Sequence, residues 1–319
     1  MSRRWLLLPL LLAAAAATMV VARWRAPDPW TEALRAVDEA PHRHDYRGTF
    51  VLTTIHKDVF ETRIRIVHRS GEPDVFTLDG WRLGGGEWKT PRIPPAERKP
   101  MKLPHRQRID RTVLDAELAA KNHSILEWPR ETVAGREARL LDLRPRVAGR
   151  PSYRLWIDVA LGIALGLESR DAEGNLITQW KFESFEPGAP AAAAPEPDDR
   201  LNLQTLLAQK PYPLWIPASP PEGYEFHGAR IRTREDRTSV TLAYTDGMNV
   251  ISVIQRNPTG EPWKSEMERS SDGRPVVHRW NWYGTRVLKV RLGDTFVTVV
   301  GHESPESLTD MIRTMVEHR

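Results

Sequence analysis

Tyr46-Arg-Gly-Thr-Phe-Val-Leu-Thr-Thr-Ile55, followed across His56-Lys-Asp58 by Phe60-Glu-Thr-Arg-Ile-Arg-Ile66, decides the fold class. The first run is rich in β-branched and aromatic residues. In the second, Phe60, Thr62, Ile64 and Ile66 alternate with Glu61, Arg63 and Arg65. A period of two belongs to a strand with one buried face, because successive side chains point to opposite sides. The short polar link makes the pair a hairpin, so an antiparallel β protein is expected around it.

Upstream, Trp30, Ala33, Leu34 and Val37 recur at helical spacing between Pro29 and Pro41, which predicts a helix over 30–40 that stops at Pro41. Downstream, short strands are expected at 74–78, 81–83, 138–143, 152–158 and 163–170. The last of these turns through Asp171-Ala-Glu-Gly174-Asn175 into a strand over 176–185. The stretch 84–111 has a triple Gly, five Pro and many cations, and is expected to be irregular over most of its length.

A Pro/Ala tract over 187–199 reads as an extended spacer and sets the expected boundary between a domain at 26–186 and a smaller one at 200–319. The second half is expected to hold a short helix over 201–208 and a stiff Pro211-Tyr-Pro-Leu-Trp-Ile-Pro217. Strands follow at 226–233, 239–244, 249–255, 276–282, 286–291 and 295–300. Asp246-Gly247 marks a hairpin. Ser304-Pro305 opens a final helix with Leu308, Met311, Ile312, Met315 and Val316 as its buried stripe. The expected class is α+β.

At the N-terminus, Arg3 and Arg4 precede an apolar run from Trp5 to Ala22, the pattern of an export signal. Val20 and Ala22 have the spacing of a cleavage site, whereas the length of the run and the following Arg23 and Arg25 also suit an uncleaved inner-membrane anchor. Residues 1–25 are therefore read as signal peptide or anchor, and the rest as periplasmic. The chain has no Cys, which excludes a lipidated cysteine, disulfides, a thiolate zinc site and a cysteine nucleophile. Its 319 residues suit two domains. A net charge of +4 and a pI near 9.4 favour anionic neighbours such as lipid headgroups or an acidic protein, and no nucleic acid is expected.

Catalytic signatures are missing: there is no Gly-x-Ser-x-Gly, His-Glu-x-x-His, P-loop or dinucleotide glycine motif. No enzyme activity, catalytic residue, cofactor or metal is expected. His42-x-His44 with Asp45 reads as a solvated turn rather than a metal site, and Gly84-Gly-Gly86 as a turn rather than a phosphate loop. Asn122-His-Ser124 fits a glycosylation sequon and is given no role. The chain has 12 Trp, and Trp156 and Trp180 fall in strand patterns where they serve as core or line an apolar cavity.

A resemblance runs through nearly the whole chain behind residue 25. It is carried by Tyr46-Arg-Gly-Thr-Phe-Val51, Lys121-Asn122, Glu131-Thr-Val-Ala-Gly-Arg-Glu-Ala138, Leu141-Asp-Leu-Arg-Pro145, Tyr153-Arg-Leu-Trp-Ile-Asp158 and the Phe182 to Phe185 strand. In the second half Pro221-Glu-Gly-Tyr224, Tyr244-Thr-Asp-Gly-Met248, Val250-Ile-Ser-Val253 and 292–301 continue it more weakly. In this respect the chain is similar to the MucB/RseB family of extracytoplasmic sigma-factor regulators. Two features depart from the pattern: Val159-Ala-Leu-Gly162-Ile-Ala-Leu165 lengthens an apolar run, and the basic Pro-rich segment is atypical.

The resemblance implies a half-open antiparallel β-barrel of the LolA/LolB lipoprotein-carrier type, followed by a smaller α+β domain that contacts a partner. It also implies binding of a membrane anti-sigma factor and release of it on sensing a lipid or lipopolysaccharide-like envelope-stress ligand, with no covalent chemistry. The expected ligand cavity is bounded by Phe50, Leu52, Ile64, Ile66, Trp156, Leu165, Leu167, Trp180 and Phe182. Arg92, Arg98, Lys99, Lys102, Arg106 and Arg108 are candidates for partner or anionic-headgroup contact. The alternative is a LolA-like periplasmic lipid or lipoprotein carrier, and self-association is left open.

Overall fold

The computed structural model describes residues 29–55, 58–72, 74–93, 97, 114–190, 200–234, 237–256, 277–282 and 285–318. The expected export segment and most of the Pro/Ala tract lie outside them. Among the described residues no helix is long and apolar enough to cross a membrane.

The chain opens with helix α1 (Pro29–Arg43), then β1 (His44–Ile55), β2 (Val59–His68) and β3 (Val75–Leu83). After α2 (Ala116–Asn122) come β4 (His123–Val133), β5 (Arg136–Pro145), β6 (Ser152–Asp158), β7 (Ala164–Arg170) and β8 (Leu176–Pro190). These eight strands form one antiparallel sheet in the order β3-β2-β1-β8-β7-β6-β5-β4. The quoted hairpin is there, with Phe50 opposite Ile64 and Leu52 opposite Thr62.

The second half holds α3 (Leu203–Gln209), β9 (Leu214–Pro217), β10 (Glu225–Arg234), β11 (Arg237–Thr245), β12 (Val250–Arg256), β13 (His278–Trp282), β14 (Thr285–Leu292) and β15 (Thr295–Gly301). Helix α4 (Pro305–Arg313) and β16 (Met315–His318) end it. Its main sheet has the order β10-β11-β12-β15-β14-β13, and β9 pairs with β16 as a separate ribbon. The ribbon is fixed by Gln255, whose fully buried amide accepts from Trp215 N and donates to Trp215 O, both at 2.8 Å. Helix α4 starts as its sequence dictates: Ser304 Oγ accepts from Ser307 N, Pro305 takes the first position, and Leu308, Met311 and Ile312 are buried.

Three readings change, and two elements are new. Pro41 does not stop α1, which continues to Arg43; Pro41 sits buried in the last turn, where it forgoes the N–H bond to the carbonyl four residues back, and its own carbonyl accepts a bond from His68 Nε2. The expected strands 74–78 and 81–83 are one strand, kept continuous by an irregularity opposite Arg63 and Ile64. Gly80 lets the backbone of Lys89 approach, since a Cβ there would stand 2.9 Å from Lys89 O. Helix α2 and β4 carry no expectation from the sequence, although Asp115 accepting from Leu118 N is an ordinary N-cap. Val316 is exposed in β16 rather than buried in the final helix, which has already ended at Arg313.

Each sheet has its own core. In the first, Leu34, Val37 and Ala40 of α1 join Phe50, Ile64, Leu141, Leu155, Leu165 and Phe182. In the second, α4 and β9 cover Val240, Leu242, Val253 and Val299.

Candidate functional site

Register follows two rows of side chains across the first sheet. Leu141, Leu155, Leu167, Trp180 and Leu52 are successive cross-strand partners, and beside them Phe182, Phe50 and Ile64 form a second row. This is the inner face, because Arg139, one alternation from Leu141, lies over the Trp30 ring of α1. The aromatic rings meet edge to face, with centroids 5.9 Å apart for Phe50 and Phe182 and 6.1 Å for Trp180 and Phe182. Gly48 makes this possible: a Cβ there would stand 2.8 Å from a Phe182 ring carbon.

Eight of the nine expected cavity residues belong to this face: Phe50, Leu52, Ile64, Ile66, Leu165, Trp180 and Phe182 are buried, and Leu167 is half-buried. Trp156 does not join them. It stands in the row Trp128, Leu140, Trp156, Gly166, Lys181, on the opposite face. There its Nε1 donates to Glu131 at 2.8 Å and Lys181 Nζ lies 4.3 Å from its ring. The β6 alternation carries the signal, since Leu155 and Trp156 are neighbours and cannot share a face.

Helix α1 is tied over the inner face by His68. Its Nδ1 is 2.6 Å from Asp74 Oδ1 and its Nε2 is 2.6 Å from Pro41 O, while the Tyr46 ring stacks on it at 4.4 Å. Arg92 is exposed; Arg98, Lys99, Lys102, Arg106 and Arg108 lie outside the described residues. Among the described residues no group of three or more His, Asp or Glu side chains is arranged to hold a metal ion, and Asp45 instead accepts from Ser70 N.

A second constellation lies where the two sheets meet. The β11–β12 turn inserts against the start of α2: Gly247 O accepts from Leu114 N and Asp115 N at 2.9 and 3.2 Å. Asn122, the sequon residue, donates to Gly223 O and Asp246 O. Arg150 donates to Glu222 O, lies 5.1 Å from the Tyr224 ring centre and pairs with Glu303 at 3.5 Å. Tyr224 OH donates to Glu303 Oε1 and accepts from Asn249 Nδ2. Two glycines admit this fit: at Gly247 a Cβ would come within 2.1 Å of Ala119 N, and at Gly223 within 2.6 Å of Asn122 Oδ1.

Burial governs the electrostatics here. It raises the Glu303 carboxyl above its ordinary range against the pull of Arg150, and raises the Tyr224 hydroxyl well above its own. It also lowers the His123 imidazole, with Asp246 opposing and Arg150 and Arg146 assisting. His123 Nδ1 faces Ala119 O at 3.0 Å and so carries the proton, leaving a buried Nε2 without a hydrogen-bond partner among the described residues.

Residues 105–201 match the family model of the MucB/RseB N-terminal domain. Over this stretch the chain is similar to the MucB/RseB family. The fold agrees over a longer span. A crystal structure of MucB in complex with MucA(peri) matches with a TM-score of 0.54 at 17% identity, covering 91% of this chain and 99% of that one. The Pseudomonas aeruginosa MucA/MucB complex matches at 0.55 and 18%, covering 92% and 100%, and MucB alone at 0.51 and 18%, covering 90% and 97%. No curated protein sequence matches significantly.

Proposed function

We propose that this chain is a periplasmic regulator that binds the extracytoplasmic part of a membrane anti-sigma factor and senses a lipid-like envelope-stress signal. The observation that carries the reading is the likeness, across both sheets, to MucB structures that include complexes with MucA. In this reading residues 26–186 form a half-open barrel, 187–199 a linker and 200–319 a smaller partner-contacting domain. The basic segment that includes Arg92 meets anionic headgroups.

The inner face supports a mechanism. Acyl chains would need the volume now filled by Leu34, Val37 and Ala40 of α1, so the ligand would bind best where α1 has moved. Its differential affinity would then shift the population away from the partner-bound state. Cleavage of residues 1–25 would leave a diffusing protein; retention would hold it beside its membrane partner and raise the effective concentration there.

The test is co-purification of the tagged full chain from native membranes, with and without an added acylated lipid. Recovery of a one-span anti-sigma protein that the lipid releases is the expected result. Recovery of none, or extraction of lipoproteins without any anti-sigma protein, would replace this reading.

A further inference from the structure

The outer face of the first sheet carries a feature that lipid sensing does not use. Across β5, β6 and β7, Asp142, Arg154 and Glu168 are cross-strand partners, with Arg144 and Arg170 beside them; together they border a recess of about 130 Å³. The carboxylates lie underneath and the guanidinium groups on top. Asp142 and Glu168 side chains are 7% and 6% exposed, whereas Arg144, Arg154 and Arg170 are 57%, 37% and 37% exposed.

Two of the arginines are fixed. Arg144 Nε is 3.0 Å from Asp142, and Arg170 Nε is 2.5 Å from Glu168 and its NH1 bonds Gly174 O. Gln179 takes the other Glu168 oxygen at 2.9 Å. Arg154 is the least committed: it is 3.9 Å from Glu168 and lies 5.3 Å above the Trp128 ring. The buried acids hold the cations in place while the surface presented outward is positive.

The same rows run into an open edge. Leu126 is the partner of Asp142 on β4, and β4 ends the sheet, with no further strand beside it among the described residues. Leu126 and Trp128 are 46% and 42% exposed and point to the face that bears the arginines. An edge strand offers alternate backbone N–H and C=O groups to an added strand. Past Trp128 this edge is closed off by Pro129 and an irregular register up to Glu131; between His123 and Trp128 it is regular.

We infer that β4 and the arginine recess form a docking site for an acidic peptide segment in extended conformation. Its backbone adds to β4 over 123–128, its apolar side chains cover Leu126 and Trp128, and its carboxylates face Arg154 and Arg144. This rests on the proposed function only for the partner's identity; the chemistry requires an acidic strand whatever protein supplies it.

The experiment uses the full chain with dye-labelled peptides of alternating Val and Glu, Val and Gln, or Val and Lys. Affinity is followed by fluorescence anisotropy and strand addition by amide hydrogen exchange. The acidic peptide is expected to bind best and to protect amides within 123–128. Arg154→Glu is expected to weaken it about tenfold, the scale of one charge-assisted contact, and Leu126→Lys to weaken it as well, both without a change in melting temperature. Equal binding of the Gln peptide, no protection along β4, or full competition by inorganic phosphate or phosphatidylglycerol vesicles would overturn the docking site. The wild-type exchange measurement decides this even if a variant folds poorly. A chain that captures an anti-sigma domain yet ignores the acidic peptide would overturn the docking site alone and leave the proposed function standing.

Discussion

The inner face of the first sheet and the junction between the two sheets are both buried, but they are built by opposite means. The inner face is apolar, with rows of aromatic and aliphatic side chains that gain by leaving water and ask little of each other's orientation. The junction is polar: Arg150, Glu303, Tyr224, Asn249 and His123 are all buried and depend on each other's hydrogen bonds and charge. Burial without partners would destabilise the second and leave the first unchanged. The difference separates a core that tolerates repacking from a joint that is specified or lost as a unit.

The largest effect is expected at the inner face. Phe182→Ala removes a ring in contact with Phe50, Trp180 and Phe185 and is expected to lower unfolding free energy by about 3–5 kcal/mol, read by urea denaturation. Phe182→Leu should recover most of it. At the junction Arg150→Met leaves Glu303 without its cation and should cost about 3 kcal/mol, most of which a second change, Glu303→Leu, is expected to restore. If the double variant is as unstable as the single one, the junction does not act as a coupled pair and the contrast fails.

The two regions also differ in how far the sequence reveals them. Alternation in β1 and β2 exposes Phe50, Leu52, Ile64 and Ile66 directly, because the period of a strand is a local property. Trp156 is misplaced for a local reason as well: it is a large apolar residue between Leu155 and Ile157, and composition outweighed its phase. The junction has no period. Asn122 meets Gly223 and Asp246 across 101 and 124 residues, and Arg150 meets Glu222 across 72. The one legible sign is Asp246-Gly247, which reads as a hairpin turn and proves also to be the point of insertion against α2. Strand β4 stayed hidden because an edge strand is exposed on both sides over 126–132 and shows no alternation.

Gly247→Ala tests the insertion itself. The residue has φ +102°, and a Cβ would lie 2.1 Å from Ala119 N and 2.6 Å from Asp115 O, all backbone that cannot rotate away. The expected cost is about 2 kcal/mol or more, with faster proteolysis between the sheets while the inner face stays protected. Equal loss of protection in both regions would mean that the joint and the first core unfold as one.

The smallest expected effect is electrostatic and belongs to the junction alone. The lowered pKa of His123 means that, as pH falls below the ordinary imidazole value of about 6.5, the unfolded chain takes up the proton first. The stability that His123 contributes as a neutral ring is complete above that pH and declines below it, down to the folded-state value. Glu303 works the other way: its carboxyl is raised, so in the window above about 4.5 the folded chain holds its proton more readily, and acidification there favours folding. Because the two oppose, the wild-type profile alone does not isolate either. The stability difference between wild type and His123→Gln does, and it should shrink by about 1 kcal/mol between about pH 7.5 and 5.5, since one group supplies at most ~1.4 kcal/mol per pH unit. A difference that stays constant across that range would show that protonating Nε2 costs nothing, and that the ring finds an acceptor when the joint opens slightly.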